Sequence, residues 1–384
     1  MKGSKKKQSR AGSYAIVLLW LVLGVCMGMT VVNKAEILGE ALEKRFLFYG
    51  AFFIGLYVSS LLHIAIHEAG HLVFGLATGY RFVSYRVGNL ILLREGDKLR
   101  IRRFSLAGTG GQCLMAPPTW REDGKLPVVL YNLGGSLMNL IASGLLLPVY
   151  LLCQGNPWVS ILLQTFIWFG VISALANGIP LRAGLVDNDG KNAQSLRRDP
   201  KALRAFWVQL AISEQNAKGV RLGQMPEEWF AVPDEATMQN PLCATVGVFA
   251  CNRLMDQARL GEADDLMKQF LEMESDMIDL HRRILVCDRI FCALLRGEDK
   301  PVWTAMLDSK QKGFMRAMKG NPSVIRTEYA MALLGEGNSS KASKLSAQFE
   351  KVASTYPYPH EIEGERELIK LVDEKATRGT GSLV

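Results

Sequence analysis

The sequence predicts an all-α membrane protein with four transmembrane helices, a small β-hairpin and a C-terminal soluble α-helical domain that is tetratricopeptide-like. Three observations support this fold class. Of the 384 residues, 49% are hydrophobic although 21% are charged, which is typical of a chain that is apolar in one part only. The long apolar runs all lie before residue 182, and the rest is charge-rich. Between two of those runs, a turn signal separates two short strand-like segments.

Four segments are apolar over the roughly 20 helical residues that a bilayer core requires. They are residues 14–32, 46–78, 127–153 and 158–181. The first follows a basic tail, residues 1–13, and its apolar stretch is longer than the apolar region of a cleaved signal peptide. We therefore expect an uncleaved anchor and four spans in contact with the lipid bilayer.

The basic residues alternate between the connections. Five Lys and Arg precede the first span, three offset by three Glu lie in 33–45, nine lie in 81–125 and none lies in 154–157. Because basic connections remain in the cytoplasm, this pattern predicts a multi-pass protein of the cell membrane with cytoplasmic N- and C-termini. The same clusters account for the net charge of +8, so we expect no nucleic acid as partner.

The loop between the second and third spans contains more than a linker. Residues 89–94 and 98–104 flank Glu95-Gly96-Asp97, and the second run alternates apolar and basic residues. This pattern predicts a β-hairpin, which we place at the cytoplasmic membrane surface.

A change of character near residue 195 suggests a membrane core over residues 14–195 and a cytoplasmic helical domain over 196–384. Helical pairs are expected to start near Ala244, Asp279 and Ser323, which are 35 and 44 residues apart. Such spacing is similar to that of tetratricopeptide repeats, and a plain helical bundle is the alternative. A domain of this kind can bind a cytoplasmic protein partner.

Residues 67–71 read His-Glu-Ala-Gly-His. Residues four apart project from the same face of an α-helix, so the imidazoles of His67 and His71 can bind one metal ion. Glu68 is offset by one residue, and its carboxylate can take a proton from a water that the metal activates. Ionisable groups near the end of a transmembrane helix are usually functional. We therefore predict Zn²⁺ as cofactor, with His67 and His71 as ligands and Glu68 as general base.

A catalytic zinc needs a third protein ligand and one open position. The two histidines outside this region, His281 and His360, are far away in the sequence. We therefore expect a carboxylate as the third ligand. Asp187 and Asp189 follow the fourth span, and the predicted topology places the end of that span on the same membrane face as His71.

Two further polar residues lie inside apolar spans. His63 is one helical turn before His67, and we expect it to be hydrogen-bonded in the packing rather than to be a ligand. Asn139, in the middle of the third span, either supports the site or bonds to a neighbouring helix.

Three pieces of sequence now follow one another in a recognisable order: residues 67–71, residues 134–139 (Gly-Gly-Ser-Leu-Met-Asn) and residues 177–190. Together they resemble the H-E-x-x-H, G-P-x-x-N and N-P-x-P-x-x-x-L-D-G elements of the site-2 protease family of intramembrane zinc metalloproteases. The resemblance covers about residues 46–195 and is that of a divergent, bacterial-type member. Ser136 and Gly178 stand where the family has proline.

The resemblance implies the remaining site residues. Asp189 precedes glycine as the family aspartate does, so it is the preferred third zinc ligand and Asp187 the alternative, although the spacing from Asn177 is then four residues longer. Asn177 matches the asparagine that the family places near the scissile carbonyl, which implies a substrate or oxyanion contact.

These expectations together describe a zinc metalloendopeptidase that hydrolyses membrane-anchored polypeptides near the cytoplasmic face. The hairpin is expected to hold an extended substrate by strand addition. The alternative is a membrane-anchored scaffold with a structural or inactive metal site and a partner-binding helical domain. An ion transporter with a histidine-lined path is disfavoured, because the four spans contain no paired acids.

Overall fold

The structure is a computed structural model, and it describes residues 2–37, 41–95, 98–103, 110–121, 123–183 and 186–380. Its contacts divide the chain into two units. The first unit contains Met1–Asn89 and Leu106–Pro200, and the second contains Leu90–Ser105 and Lys201–Val384. This division falls within five residues of the predicted end of the membrane core, whereas the predicted hairpin groups with the second unit rather than with the core.

In the part of the first unit that the structure describes there are five helices: α1 (Lys2–Ile37), α2 (Leu42–Ala77), α3 (Val128–Leu152), α4 (Pro157–Gly178) and α5 (Asp189–Leu196). Three of them, α2, α3 and α4, are long and apolar enough to cross a membrane. The first predicted span lies within α1, and its crossing of a membrane stays a prediction. Helix α4 ends three residues before the predicted end of the fourth span, because Ile179 precedes Pro180 and is extended.

Helices α2 and α3 cross in backbone contact. A Cβ atom built on Gly70 would lie 2.2 Å from the carbonyl oxygen of Gly134, and one built on Gly134 would lie 2.6 Å from that of Gly70. Only residues without a side chain allow such an approach, as at other close helix crossings in membranes. The crossing brings the start of α3 alongside the histidine motif near the end of α2.

Contacts near the helix ends show how the bundle is ordered. Lys34, near the end of α1, donates a hydrogen bond to Ser160 at the start of α4, and its ammonium lies 5.2 Å from the ring centroid of Tyr150 near the end of α3. Phe48, near the start of α2, packs edge-to-face on Trp158, with ring centroids 5.6 Å apart. The opposite end of the bundle therefore contains the end of α2, the start of α3 and the end of α4.

The first unit also contains two antiparallel strand pairs. Strand β1 (Arg81–Val87) pairs with β4 (Gly111–Ala116), with an irregularity between Phe82 and Ser84, and the short strands β5 (Arg182–Ala183) and β6 (Val186–Asp187) pair with each other. None of these strands was expected from the sequence. In β1 the irregularity interrupts the alternation of buried and exposed residues, so the period-2 pattern of a strand is lost.

The second unit contains the predicted β-hairpin. Strands β2 (Leu90–Glu95) and β3 (Lys98–Arg103) pair antiparallel from Glu95↔Lys98 to Leu90↔Arg103. Residues 96 and 97 of the predicted turn lie outside the described residues. The hairpin prediction is confirmed, and its place at a membrane surface stays a prediction.

The rest of the second unit is helical, as predicted. Its α-helices are α6 (Pro200–Ala217), α7 (Pro241–Asp256), α8 (Leu260–Glu272), α9 (Asp279–Arg296), α10 (Lys300–Thr304), α11 (Ser309–Ala317), α12 (Pro322–Ala330), α13 (Ser339–Ala353) and α14 (Pro359–Thr380). Phe270 and Phe291 are fully buried in the largest core cluster. Gly297 ends α9 with φ of 76°, as a helix C-terminal glycine does.

Candidate metal centre

Two imidazoles and one carboxylate converge at the end of the bundle that includes the C-terminal part of α2. The Nε2 atoms of His67 and His71 lie 3.2 Å apart. Asp189 Oδ2 lies 3.0 Å from His67 Nε2 and 3.5 Å from His71 Nε2. Within the described ranges, this is the only group of three such side chains whose ligand atoms lie within 4.8 Å of one another.

The spacing of the three atoms suits a tetrahedral ion. Ligands that lie about 2.0–2.1 Å from a tetrahedral zinc are separated from each other by roughly 3.3–3.4 Å. The three observed separations, 3.0, 3.2 and 3.5 Å, bracket that value. Two imidazole nitrogens and one carboxylate oxygen also form a donor set found in catalytic zinc sites, so the residues present fit zinc.

Asp189 reaches the histidines because Asn188 joins two helix ends. The Asn188 amide nitrogen donates to the carbonyl oxygens of Ala176, 2.7 Å away, and Ile179, 2.6 Å away, at the end of α4. Its Oδ1 accepts from the backbone N–H of Lys191 at 2.9 Å and so caps α5. Asp189 is the first residue of the capped helix, so the cap fixes where its carboxylate points.

The surroundings of Asp189 keep it in place and ionised. A Cβ atom on Gly190 would lie 2.1 Å from the carbonyl oxygen of Gly178, so only glycine lets α5 begin this close to the end of α4. Burial alone would raise the pKa of Asp189, but hydrogen bonding to His67 and His71, with their charge, lowers this pKa to about 2. The carboxyl group is therefore ionised at neutral pH and can act as an anionic metal ligand.

The backbone sets the tautomer of His71. Its Nδ1 lies 2.8 Å from the carbonyl oxygen of Tyr131, which can only accept a hydrogen bond. If Nε2 binds a metal ion, the ring is neutral and Nδ1 carries the proton that this carbonyl oxygen accepts. An outer hydrogen bond of this kind orients a metal-binding imidazole.

Asn139 connects the rings of His63 and His67. Its carboxamide lies 3.1 Å from His63 Nδ1 through Oδ1 and 3.4 Å from His67 Nδ1 through Nδ2. His63 Nε2 lies 2.9 Å from the carbonyl oxygen of Phe166 and must donate to it. Turning the amide by 180° lets Oδ1 accept from His67 Nδ1 and Nδ2 donate to His63 Nδ1. With a metal ion at His67 Nε2, both rings would then be neutral.

These contacts bear on the roles of Asn139 and His63, for which the sequence gave two alternatives and a packing expectation, respectively. Asn139 is in direct contact with a ring of the cluster and is itself fully buried. His63 is 1% exposed, makes two hydrogen bonds and is not part of the three-ligand group. His63 is therefore hydrogen-bonded in the packing, as expected, and Asn139 connects it to His67.

Glu68 lies between the cluster and strand β4. A Cβ atom on Gly111 would lie 2.7 Å from both Cγ and Oε1 of Glu68, and the backbone of Cys113 hydrogen-bonds the carboxylate. Glu68 also interacts electrostatically with both histidines and with the aspartate. The carboxylate is thus close to the cluster but is not one of its three ligand groups.

The two other residues proposed for the site are placed differently. Asn177, near the end of α4, donates from Nδ2 to the carbonyl oxygen of Ser173 in its own helix, at 3.0 Å, rather than to a side chain of the cluster. Asp187 lies in β6 and is not part of the three-ligand group. The structure therefore assembles His67, His71 and Asp189, with Glu68 beside them.

The sequence analysis missed Asn188, the carbonyl of Tyr131 and strand β4. Asn188 carries a usable signal, since an asparagine directly before a helical stretch is a preferred N-cap. A carbonyl group has no residue-specific signal, and the proximity of β4 to Glu68 depends on a contact between residues more than 40 positions apart. Comparisons with protein-family models, with curated proteins and with solved structures found no match for this chain.

Proposed function

We propose that this protein is an intramembrane zinc endopeptidase that hydrolyses membrane-anchored polypeptides near the cytoplasmic face, in the manner of the site-2 protease family. The observation that carries the proposal is the convergence of His67 Nε2, His71 Nε2 and Asp189 Oδ2 at separations that suit one tetrahedral ion, with a carboxylate beside them that is not needed as a ligand. A purely structural site has no use for that additional base.

The residues divide the work as follows. A zinc ion bound by His67, His71 and Asp189 would polarise the scissile carbonyl and acidify a water molecule. Glu68 accepts the proton of the attacking water and then returns it to the leaving amine. The contacts of Tyr131 and Asn139 hold the two imidazoles in the orientation and tautomer that ligation requires.

Strand β4 offers a place for the substrate. It pairs with β1 and begins at Gly111, directly against Glu68. An extended peptide that adds to a strand so close to the general base brings its backbone carbonyls to the reacting groups. In this proposal β4 takes the role that the sequence analysis gave to the β2–β3 hairpin.

The proposal extends to the whole chain. The protein is a multi-pass protein of the cell membrane in which α1 provides a fourth span and both termini are cytoplasmic. The second unit is a tetratricopeptide-like domain that binds a cytoplasmic protein partner. The mainly helical second unit and the three apolar helices of the first support this arrangement.

Substitution of the proposed base tests the function. Zinc per chain would be measured on the purified full-length protein, and new N-termini would be labelled in membranes of cells that express the native chain or Glu68→Gln. We expect one zinc in both proteins and cleavage products only with the native chain, because the amide keeps the shape but cannot accept the proton. The loss should be at least about 10²-fold.

Glu43→Gln is a matched control, since Glu43 lies in the first turn of the same helix and far along it from the cluster. This variant should cleave like the native chain. Equal cleavage by Glu68→Gln and the native chain would remove Glu68 from the mechanism. Bound zinc without any cleavage product would instead favour the membrane-anchored scaffold, and a native protein without zinc would contradict both functions.

A further inference from the structure

The second unit contains a cavity of about 280 Å³. Its walls come mainly from helices α7, α9, α12 and α14, and many of the lining side chains are charged or polar. The volume is slightly below the range of about 300–1,000 Å³ that is typical of small-molecule sites. It therefore suits a single long side chain better than a cofactor.

Two arginines in the wall are already paired. Arg221 Nη2 lies 2.8 Å from Asp256 Oδ1. Arg326 is 1% exposed, and it donates a hydrogen bond from Nη2 to the buried carboxylate of Asp288. The charges cancel within each ion pair, so neither arginine among the described lining residues is left without a carboxylate.

Two further carboxylates in the same wall exceed that balance. Among the described residues, the side-chain groups that donate to Glu361 are neutral, namely Asn216 Nδ2 and the Tyr356 hydroxyl, each at 3.1 Å. Glu365 Oε2 lies 3.2 Å from Arg326 Nη1, whose positive charge already faces Asp288. The wall therefore contains four carboxyl groups against two guanidiniums, so two negative charges have no cationic counterpart in the wall when all four carboxyl groups are ionised.

The environment makes these charges costly. Burial raises the pKa of Glu361 to about 7 and the pKa of Glu365 to about 7. The nearby charge of Glu365 adds to the rise at Glu361, and those of Asp288 and Asp256 add to the rise at Glu365. Burying a charge without a partner is unfavourable, and a nearby cation removes that penalty. A cation bound in the cavity would therefore stabilise the ionised form of both carboxyl groups.

Two buried hydrogen-bond acceptors without a partner among the described residues also favour a ligand with N–H donors. His360 is 8% exposed and lines the cavity, and its Nε2 has no hydrogen-bond partner among the described residues. Burial lowers the pKa of His360, so the ring is neutral and can accept a hydrogen bond. The buried Oδ1 of Asn216 likewise accepts none from the described part of the chain. A ligand with several N–H donors would satisfy these atoms.

We propose that this cavity binds the alkylammonium or guanidinium group of a lysine or arginine side chain presented by a polypeptide partner. An organic cation fits better than a metal ion, because the carboxylates and His360 do not form a compact ligand group in the described residues. A cation with three to five N–H donors can engage the dispersed acceptors at once. The proposal concerns the second unit and does not depend on proteolysis by the first.

Binding of short peptides tests the proposal on the full chain. The protein would be purified in detergent with Glu68→Gln, so that no peptide is cut, and fluorescence anisotropy would be measured with labelled Gly-Ser-Lys-Ser-Gly. Peptides with arginine or norleucine at the central position provide the comparison. We expect the lysine and arginine peptides to bind at least about tenfold more tightly than the norleucine peptide. Equal binding of all three would overturn the proposal.

Competition with n-butylamine separates a peptide side chain from a free amine. We expect the peptide to bind at least about tenfold more tightly, because its backbone adds contacts at the mouth of the cavity. If n-butylamine displaces the labelled peptide at the same concentration as the unlabelled lysine peptide does, the assignment to a polypeptide is overturned.

A pair of variants on α14 locates the site. Glu361→Gln removes the carboxylate that has no cationic partner in the described structure, and we expect about tenfold weaker binding of the lysine peptide. Glu363→Gln, on the exposed side of the same helix, should bind like the parent protein. Circular dichroism would check that both variants fold. Unchanged binding by a folded Glu361→Gln protein, or equal weakening by Glu363→Gln, would contradict the proposed site.

Discussion

Gly135 leaves no room for a side chain beside His67. A Cβ atom at this position would lie 2.5 Å from Cε1 and Nε2 of the imidazole and 2.6 Å from Nδ1. Ordinary van der Waals contact begins at 3.4 Å, and 3.4 minus 2.5 leaves 0.9 Å to be made up. Gly135→Ala must therefore displace the ring, or the α3 backbone against it, by nearly 1 Å.

A displacement of that size is large on the scale of a zinc site, in which ligand distances hold to within about 0.2 Å. We expect Gly135→Ala to lower the zinc affinity at least about 100-fold, since even the loss of an outer partner costs about 10–100-fold. The affinity would be measured on the full-length protein in detergent, by competition with a chelator of known zinc affinity.

Gly144→Ala is the matched control. It lies in the same helix, and nothing lies within 4 Å of the Cβ that it would add, so its zinc affinity should equal that of the native protein. The steric argument would be refuted if Gly135→Ala bound zinc within about threefold of the native protein, or if Gly144→Ala lost zinc to the same extent.

Three further predictions concern the third ligand, the topology and the charged cavity. Asp189→Ala should lower the zinc affinity at least about tenfold more than Asp187→Ala in chelator competition, and the reverse order would assign the ligand to Asp187. In intact cells, on a background without native cysteines, Gly155→Cys should react with an impermeant thiol reagent and Glu363→Cys should not. Reaction at Glu363→Cys alone would invert the topology. Because the pKa of Glu361 rises from 4.5 to about 7 on folding, the native protein should lose stability relative to Glu361→Gln as pH rises from about 4.5 to 7. Thermal unfolding at pH 5 and pH 8 checks this, and a constant difference in midpoint would contradict it.

The features predicted correctly depend on short stretches of sequence. Residues 46–78, 127–153 and 158–181 are apolar for long enough to form spanning helices, and the helices found differ from these ranges by only a few residues at each end. The hairpin follows from two strand-like runs around one turn. The motif at 67–71 places two imidazoles on one helix face because of helical periodicity alone.

The features that were missed or left open depend on the neighbours of a residue in space. Asn139 had two equally acceptable roles until α2 and α3 were brought together, and its contact with His67 joins residues 72 positions apart. Strand β1 went unnoticed because an irregularity disturbs its alternation. Asn177 matches a family motif by sequence, yet its side chain bonds to its own helix.

The sequence by itself determined which groups can act as ligands and base, namely His67, Glu68 and His71, because helix geometry fixes their relative directions without reference to the rest of the chain. The family resemblance favoured Asp189 over Asp187, but only the tertiary structure shows which carboxylate lies against the two imidazoles. Asp187 and Asp189 are two residues apart and chemically identical. The cap provided by Asn188 and the close approach of Gly190 to Gly178 determine that Asp189 is the one directed at the two imidazoles. The resulting contact joins His67 and Asp189, which are 122 residues apart in the chain, and helix periodicity around residues 67–71 does not determine which carboxylate makes it.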